Sequence, residues 1–445
     1  MAELLYRTHP GMTDLLPDET RKWQKLEQII RNEAAKFHFE EIRTPVMEPT
    51  ELIVRGLGQM TDIVSKEIFA FQRGDNHYVL RPEMTAPVAR SFVEHRLDQR
   101  GGTQKLYYIG PMFRAERPQK GRQRQFHQFG VEVIGSADPI ADAEVISFMV
   151  HLYKTIGITN TRLKINSVGD LASREAYKNV LKAYLEPHLD TMSELSRKRF
   201  QKNPMRILDS KEEEDQPVIE NAPLIGDHLS DASAQHFETV QNLLKELGIG
   251  FEIDPYLVRG MDYYTETAFE LTSPDLGAQD ALAGGGRYDL LIEEIGGPPT
   301  PAVGFAAGME RLFIACDELG INLDPGKSLD LYIVTMGQKA REWAVPKLQQ
   351  FREWGLSATM DYQGRSIKAQ MKDANRSEAS YTLIVGDNEI GNDEFILRNM
   401  AKSEEETMPL QSLMTRVEEM ARGVSGTEDA AGVSGPSSTS STSST

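Results

Sequence analysis

Residues 113–132 read FRAERPQKGRQRQFHQFGVE, and the charged loop in this stretch lies between two strand-like segments, residues 105–109 and 126–134. An earlier pair, residues 68–72 and 77–80, flanks the turn at 73–76 in the same way. Strands that follow one another through hairpins, with helical segments outside them, are typical of an antiparallel α+β sheet rather than of a βαβ repeat. The sequence therefore predicts an antiparallel sheet with flanking helices.

The loop of this hairpin is strongly basic. Arg114, Arg117, Lys120, Arg122 and Arg124 stand within eleven residues and oppose one acid, Glu116. One interpretation is an exposed hairpin tip with solvated charges. The other is phosphate binding, because guanidinium groups hold phosphate oxygens bidentately and keep their charge. Phe126 at the end of the loop is compatible with stacking on a base and with core packing.

Composition limits the class of protein. A chain of 445 residues with 40% hydrophobic residues predicts two compact domains plus appendages. The longest apolar stretches are too short for a membrane span, and the N-terminus does not resemble a secretory signal, so a cytoplasmic protein is expected. The single cysteine, Cys316, falls at helical spacing with Met309, Leu312 and Phe313 and is interpreted as core. The net charge of −18 argues against a nucleic-acid partner at long range, but local basic clusters decide more than the total.

Periodicity divides the chain into segments. Residues 19–39 predict a helix, about 170–231 a polar helical insertion, and 250–255 and 267–271 a return of the sheet. After a boundary near 322–328, strands at 331–336 and 382–385 and a helix at 341–354 predict an α/β domain. We therefore predict domains at 1–326 and 327–422, followed by a disordered Ser/Thr-rich tail at 423–445.

Three further segments carry candidate chemistry. LVRGMDYYT at 257–265 gathers a cation, an acid and two phenols, and AGGGRYD at 283–289 has three glycines that suit either a close approach of the backbone to a ligand or a tight turn. VGFAAGMERL at 303–312 predicts a strand that runs through small residues into a helix. The sequence has no Walker-type loop and no serine hydrolase signature. His127 is interpreted as structural.

These segments, together with RPEMTA at 81–86, resemble the motifs of class II aminoacyl-tRNA synthetases, and 257–265 and 283–289 are similar to the two signatures of the histidyl-tRNA synthetases of bacterial type. The resemblance extends from about residue 10 to about residue 417. It implies an antiparallel catalytic sheet, a helical insertion, a C-terminal anticodon-binding domain and a homodimer, with Pro45 near the dimer interface.

The resemblance also implies roles for individual residues. It assigns catalysis to Arg114 and Arg259, at the α-phosphate and the histidine carboxylate, and ATP binding to Arg114, Arg122, Phe126 and Arg311. The histidine-binding residues that it implies are Glu83, Thr85, Arg114, Gln128, Glu132, Arg259, Tyr263, Tyr264 and Tyr288. Gln119 and Lys120 would lie near the acceptor end of tRNA(His). ATP and Mg²⁺ are the implied cofactors, and no protein metal ligands are assigned.

Two departures and two alternatives accompany this resemblance. Leu290 stands where glycine commonly follows Arg-Tyr-Asp, and Met84 occupies a variable position; neither departure removes a charged or hydrogen-bonding group, so only the local loop shape is expected to differ. A non-catalytic paralogue that regulates ATP phosphoribosyltransferase would lack the anticodon-binding domain and typically the catalytic arginines. A module that senses uncharged tRNA would normally accompany a kinase.

The second domain carries a candidate nucleic-acid contact. Its spacing predicts one basic helix face, which is either solvated or phosphate-binding and consists of Arg365, Lys368, Lys372 and Arg376.

Overall fold

The computed structural model describes residues 5–57, 64, 67–119, 121–208, 210–258, 261, 263–277 and 280–430, with side chains described as far as 423. The chain divides into two compact units, Met1–Asp324 and Pro325–Thr445. None of the helices in these ranges is long and apolar enough to cross a membrane.

The first unit combines one large sheet with a small one. Its strands are β1 (Glu40–Glu41), β2 (Met47–Pro49), β3 (Phe69–Arg73), β4 (Asn76–Leu80), β5 (Gln104–Phe113), β6 (Gln125–Ile134), β7 (Arg162–Ser167), β8 (Glu252–Ile253), β9 (Thr265–Thr272), β10 (Ala281–Arg287) and β11 (Ala302–Gly308). Its helices are α1 (Pro17–Lys36), α2 (Thr50–Leu57), α3 (Thr85–Glu94), α4 (Pro139–Ile156), α5 (Leu171–Leu185), α6 (Glu194–Lys202), α7 (Gln216–Ile219), α8 (Asp231–Glu246), α9 (Leu291–Glu294) and α10 (Met309–Glu318).

The large sheet has the order β1-β5-β6-β11-β10-β9-β7-β8, and its six central strands pair antiparallel. The two-residue edge strands β1 and β8 pair parallel with their neighbours. The predicted antiparallel α+β fold is confirmed, and only these short edges make the sheet mixed. The strand expected over 250–255 shrinks to Glu252–Ile253, because Pro255 has no N–H to continue a ladder.

Helices cover the sheet and bury its apolar face. Helix α1 contributes Trp23, Leu26 and Ile30 to the core, begins with a proline in its first turn and ends where His38 adopts a left-handed φ of 58°. Helix α4 lies against the sheet through residues such as Phe148 and Met149. Cys316 in α10 is buried in the same core, which agrees with its interpretation as a packing residue.

The segment between β7 and β8 is helical and includes α5 to α8. Its organising polar residue is Asp215, whose carboxylate accepts hydrogen bonds from Ser193 N and Oγ at 2.8 Å and from Ser196 and Ser210 Oγ at 2.6 Å. Burial alone would raise the pKa of Asp215, but these hydrogen bonds lower it overall.

The second unit is an α/β domain, as the sequence predicts. Its strands are β12 (Leu329–Met336), β13 (Ala358–Met360), β14 (Ala379–Gly386), β15 (Phe395–Asn399) and β16 (Glu404–Met408), and its helices are α11 (Gln338–Glu353), α12 (Ile367–Arg376), α13 (Asp387–Asn392) and α14 (Leu410–Ala430). The sheet order is β13-β12-β14-β15-β16, with β12 parallel to both of its neighbours and the last two strands antiparallel.

Candidate active site

The centre of the large sheet carries glycines at which side chains cannot be accommodated. A Cβ atom on Gly304 of β11 would stand 1.7 Å from Glu132 Oε2, and one on Gly285 of β10 would stand 2.1 Å from the carbonyl oxygen of Gly304. The three glycines at 284–286 belong to a strand, not to a tight turn: Gly284 lines a cavity, and Gly285 and Gly286 pack closely against neighbouring residues.

An inner cavity of about 190 Å³ opens over these strands. It is lined by Glu83, Thr85, Arg114, Gln128, Glu132, Met261, Tyr263, Tyr264, Gly284, Tyr288, Gly304, Phe305 and Ala306. Every residue to which the resemblance gives a role in histidine binding lines this cavity except Arg259. Arg259, with its neighbours Gly260 and Asp262, lies outside the described residues.

Glu132 is the central acid of the inner cavity. Its Oε1 accepts hydrogen bonds from Thr85 Oγ1 at 2.8 Å and from the Tyr108 hydroxyl at 3.4 Å, and its Oε2 accepts one from the Tyr288 hydroxyl at 2.6 Å. Burial raises the pKa of Glu132 to about 8, against the hydrogen bonds from Tyr288 and Thr85, which lower it. The cavity thus holds a titratable group near physiological pH in a fixed orientation.

Glu83, Thr85 and Gln128 of the inner cavity offer oxygen acceptors that suit an amino group. Glu83 accepts hydrogen bonds from the backbone N–H groups of Thr85 and Ala86 at 2.8 and 2.9 Å, which fixes its carboxylate at the start of α3. Burial raises the pKa of Glu83, while these N–H groups and the charge of Arg114 lower it in part. Gln128 Oε1 is buried and has no hydrogen-bond partner among the described residues, so it is open to a donor from a ligand.

An outer cavity of about 320 Å³ adjoins the inner one. It is lined by Glu67, Arg114, Glu116, Gly121, Arg122, Gln123, Phe126, Glu270, Ala281, Leu282, Ala283, Gly284, Ala306, Ala307, Gly308 and Arg311. All of the residues that the sequence assigns to ATP binding, Arg114, Arg122, Phe126 and Arg311, are among them.

The arginines of the outer cavity are arranged to receive an anion. Burial lowers the pKa of Arg311, and the nearby positive charge of Arg122 lowers it further. Arg311 Nε is steadied by the carbonyl oxygen of Ala281 at 3.1 Å. The positive charges of Arg122 and Arg311 repel each other, so a bound polyanion would stabilise both.

Arg114 lies at the junction, because Arg114, Gly284 and Ala306 line both cavities. Its Nε donates to the carbonyl oxygen of Pro82 at 3.0 Å, and its guanidinium carbon lies 5.1 Å from the centre of the Phe126 ring. Burial lowers the pKa of Arg114, and the charges of Glu116, Glu67 and Glu83 raise it. A group that joins the two cavities would therefore meet this guanidinium.

Gln119 and His127 line neither cavity. Gln119 is exposed and bridges Arg122 through backbone hydrogen bonds of 3.1 and 2.9 Å, and Lys120 next to it lies outside the described residues. His127 lines neither cavity: its Nδ1 lies 3.0 Å from Glu310 Oε1, and its ring packs edge-on against Trp23. This geometry agrees with the structural interpretation of His127.

Sequence reasoning missed Tyr108, which contacts Glu132, and the carboxylates of Glu67 and Glu270 in the outer cavity. Tyr108 is fully buried in β5, within the apolar run LYYIG at 106–110, so the sequence does not distinguish it from any other core aromatic residue. Leu290 has a right-handed helical conformation just before α9, at a φ of −97°, so this position does not require glycine.

The antiparallel sheet, with an arginine-rich cavity beside an acidic one, has the architecture of a class II aminoacyl-tRNA synthetase. Residues 11–312 match the family model described as histidyl-tRNA synthetase, and residues 330–420 match the anticodon binding domain. The chain belongs to the histidyl-tRNA synthetase family.

Individual relatives cover nearly all of the chain. A histidine–tRNA ligase from Natranaerobius thermophilus is 46% identical over 420 residues, 94% of this chain and 100% of the relative. One from Halothermothrix orenii is 48% identical over 411 residues, 92% of this chain and 98% of the relative. The crystal structure of the apo histidyl-tRNA synthetase of S. aureus superposes with a TM-score of 0.80 at 39% identity and covers 93% of this chain and all of that one.

Proposed function

We propose that the chain activates L-histidine with ATP to histidyl-adenylate and transfers the histidyl group to the 3′ end of tRNA(His), releasing AMP and pyrophosphate. The observation that carries the proposal is the pair of adjoining cavities that meet at Arg114. The inner cavity offers acids and hydroxyls to an amino acid, and the outer one offers arginines to a triphosphate. Their junction lies where a carboxylate would meet an α-phosphate.

Activation needs positioning and positive charge rather than a base. The histidine carboxylate is already an anion, so it attacks the α-phosphorus without losing a proton, and pyrophosphate leaves. Arg114, and Arg259 by resemblance, would neutralise charge on the α-phosphate oxygens and hold the carboxylate. Arg122 and Arg311 would bind the outer phosphates, and Phe126 would lie against adenine.

Mg²⁺ is proposed to bind together with the ATP phosphates. No three acidic or histidine side chains converge on a metal-sized site in the described part of the chain. Mg²⁺ commonly takes only one or two carboxylates plus substrate phosphates and keeps several waters. Glu116 and Glu270 line the outer cavity and fit that mode. The ion would supply positive charge to the outer phosphates.

Selectivity would come from fixed partners for both ring nitrogens of histidine. Glu132 and Tyr264 are proposed to hold the imidazole, and Glu83, Thr85 and Gln128 to hold the α-amino group. A substrate that lacks the ring nitrogens would leave these buried groups unpaired, which is costly.

The proposed tRNA contacts are divided between the units. Gln119 and Lys120 would approach the acceptor end. In the second unit Arg365 precedes α12 and is paired with Asp361 and Asp373, and Asp373 also binds Arg376. Lys368 and Lys372 are exposed on α12, and we propose that they bind tRNA phosphates.

Domain limits, assembly and compartment complete the proposal. We place the catalytic domain at 1–326 and the anticodon-binding domain at 327–422. A homodimer with Pro45 near its interface is proposed from the resemblance, and a cytoplasmic location follows from the tRNA substrate.

Histidine-dependent ATP–pyrophosphate exchange, run beside the other standard amino acids, tests the activity. Exchange with histidine alone is the expected result. A folded dimer that binds histidine but does not exchange would favour the regulatory paralogue, although the match of 330–420 to the anticodon binding domain is unlike that paralogue.

A further inference from the structure

Arg287 follows the glycines of β10 but points away from the inner cavity. Its side chain is fully buried and forms a fork with the equally buried carboxylate of Asp142, with Nε 3.1 Å from Oδ2 and Nη2 bonded to the same oxygen. Nη1 and Nη2 also donate to the carbonyl oxygens of Ser136 and Asp138, at 2.8 and 3.2 Å. Arg287 thus ties the end of β10 to the start of α4.

Asp289, two residues further on, is fixed on the same side. Its Oδ1 accepts hydrogen bonds from Arg287 Nη1 at 3.2 Å and from the backbone N–H of Ala302 at 3.1 Å. Its own N–H donates to Thr265 Oγ1 at 3.2 Å. Arg287 and Asp289 are thus held outside the inner cavity, whereas Tyr288 between them lines it.

Tyr288 is the residue between these two anchors. Its backbone N–H donates to the carbonyl oxygen of Ala302 at 2.8 Å, and its hydroxyl donates to Glu132 Oε2 at 2.6 Å. The Tyr288 hydroxyl is the donor on Oε2, and together with the Thr85 and Tyr108 hydroxyls on Oε1 it sets the orientation of the Glu132 carboxylate. Neither Arg287 nor Asp142 lines either cavity, so their influence on a substrate must pass through a neighbour.

We infer that the ion pair of Arg287 with Asp142 is a positioning device for amino-acid recognition, which holds the Tyr288 hydroxyl against Glu132 and so shapes the subsite for the imidazole ring. This inference rests on the proposed function, since it assigns the inner cavity to histidine. Arg287 and Asp142 are positioning residues, and Tyr288 makes the contact.

Two variants test the device in the full-length protein. Arg287→Lys keeps the charge but cannot form the fork together with both carbonyl contacts, and Asp142→Asn keeps the shape but removes the charge. A displacement of about 1 Å at a substrate-positioning site can lower the reaction rate about 100-fold. We expect the KM for histidine in pyrophosphate exchange to rise about tenfold or more in each variant, with the KM for ATP within about twofold of wild type.

Selectivity gives a readout that a general loss of stability would not move. The ratio of kcat/KM for histidine to that for 2-thienylalanine, which lacks ring nitrogens, should fall about tenfold in both variants. Asp215→Asn is the matched control, because it perturbs a buried, fully hydrogen-bonded carboxylate in the same unit away from both cavities. This control should lower the melting temperature and leave the ratio unchanged.

A double-mutant cycle with Tyr288→Phe decides whether the effect passes through Tyr288. If it does, adding Arg287→Lys to Tyr288→Phe changes the histidine KM less than about twofold, whereas independent effects would multiply. Multiplying effects, or equal rises in the KM for histidine and for ATP, would overturn the inference. If Arg287→Lys does not fold, Asp142→Asn takes its place in the cycle. Absence of histidine-dependent exchange in the wild-type protein would overturn the proposed function instead.

Discussion

Replacing Glu132 by glutamine removes the central charge of the inner cavity with little change in shape. Glu132 accepts hydrogen bonds from three hydroxyls, the closest from Tyr288 at 2.6 Å and Thr85 at 2.8 Å, and it is 1% exposed. The amide of glutamine offers one oxygen in place of two and turns two N–H donors toward groups that already donate. The imidazole would lose a charged acceptor at the same time.

The magnitude follows from the hydrogen bond that is lost. A hydrogen bond to a charged group contributes about 1.5 to 3 kcal/mol. At about 1.4 kcal/mol per factor of ten, Glu132→Gln should raise the KM for histidine by about 10- to 150-fold above the Glu132 pKa of about 8, where the wild-type group is a carboxylate. The KM for ATP should stay within about twofold, because Glu132 does not line the outer cavity.

The effect should also depend on pH. Burial raises the pKa of Glu132 to about 8, so in the free enzyme the group is protonated below that pH and a carboxylate above it. If the carboxylate receives the ring N–H of histidine, kcat/KM for histidine rises toward pH 8 in the wild-type protein. The ratio of kcat/KM for wild type to that for Glu132→Gln should therefore grow by roughly 25-fold between pH 6.5 and 8.5, while the titration of free histidine affects both proteins alike.

Pyrophosphate exchange at varied histidine, ATP and pH measures all of these quantities. Arg311→Ala is the mirror control, because Arg311 lines the outer cavity alone and should raise the KM for ATP while sparing that for histidine. Equal changes in both KM values for Glu132→Gln, or a ratio that does not vary with pH, would refute the assignment of the imidazole to Glu132.

Three further outcomes are expected. Arg259→Ala should slow histidine activation by about two orders of magnitude or more, the effect of losing one transition-state donor, and normal exchange by this variant would remove Arg259 from the mechanism. Asp215→Asn should lower the free energy of unfolding by about 1 to 3 kcal/mol in urea titrations, since a buried hydroxyl loses its acceptor. Because the pKa of Asp215 is lowered in the fold, this contribution is present above its unfolded pKa and disappears as the pH falls through the folded value. Replacing Lys368 and Lys372 together by alanine should reduce the slope of log affinity for tRNA against log salt by about 0.7 to 0.9 per lost phosphate contact, and an unchanged slope would indicate a merely solvated helix face.

Local patterns were sufficient to predict strands β5, β6 and β11 of the site, but they did not predict strand β10, whose glycines suited a tight turn equally well. The hairpin of β5 and β6 and the strand β11 that leads into α10 show alternation or small-residue runs within ten residues, which is the range over which periodicity carries information. Residue patterns alone left the basic loop undecided between a solvated tip and a phosphate site. The resemblance to the synthetase motifs separated these interpretations, and the structure brings Arg114, Arg122 and Arg311 to one cavity.

Local residue patterns could not predict contacts between residues that are far apart in the sequence. Arg287 and Asp142 are 145 residues apart, and nothing near Asp142 distinguishes it from an ordinary acid in the first turn of a helix. The predicted basic helix face in the second unit was wrong for Arg365, because spacing along the sequence was taken for helical structure. Spacing suggests that Arg365 continues α12, but Asp361 accepts hydrogen bonds from its backbone N–H and its Nε, which hold Arg365 in the loop before the helix.

The two cavities divide the electrostatic work of activation. The inner cavity collects acids, and burial raises the pKa of both Glu83 and Glu132, so it favours ligands that donate protons or carry positive charge. The outer cavity collects guanidinium groups, and burial lowers the pKa of Arg114 and Arg311. The charged forms of the acids and of the guanidinium groups are least stable when their cavities are empty. The acids are complementary to the amino acid, and the guanidinium groups are complementary to ATP. Because Arg114 belongs to both cavities, the histidine carboxylate and the α-phosphate would share one cation, which brings two anions into contact at the point where the new bond forms.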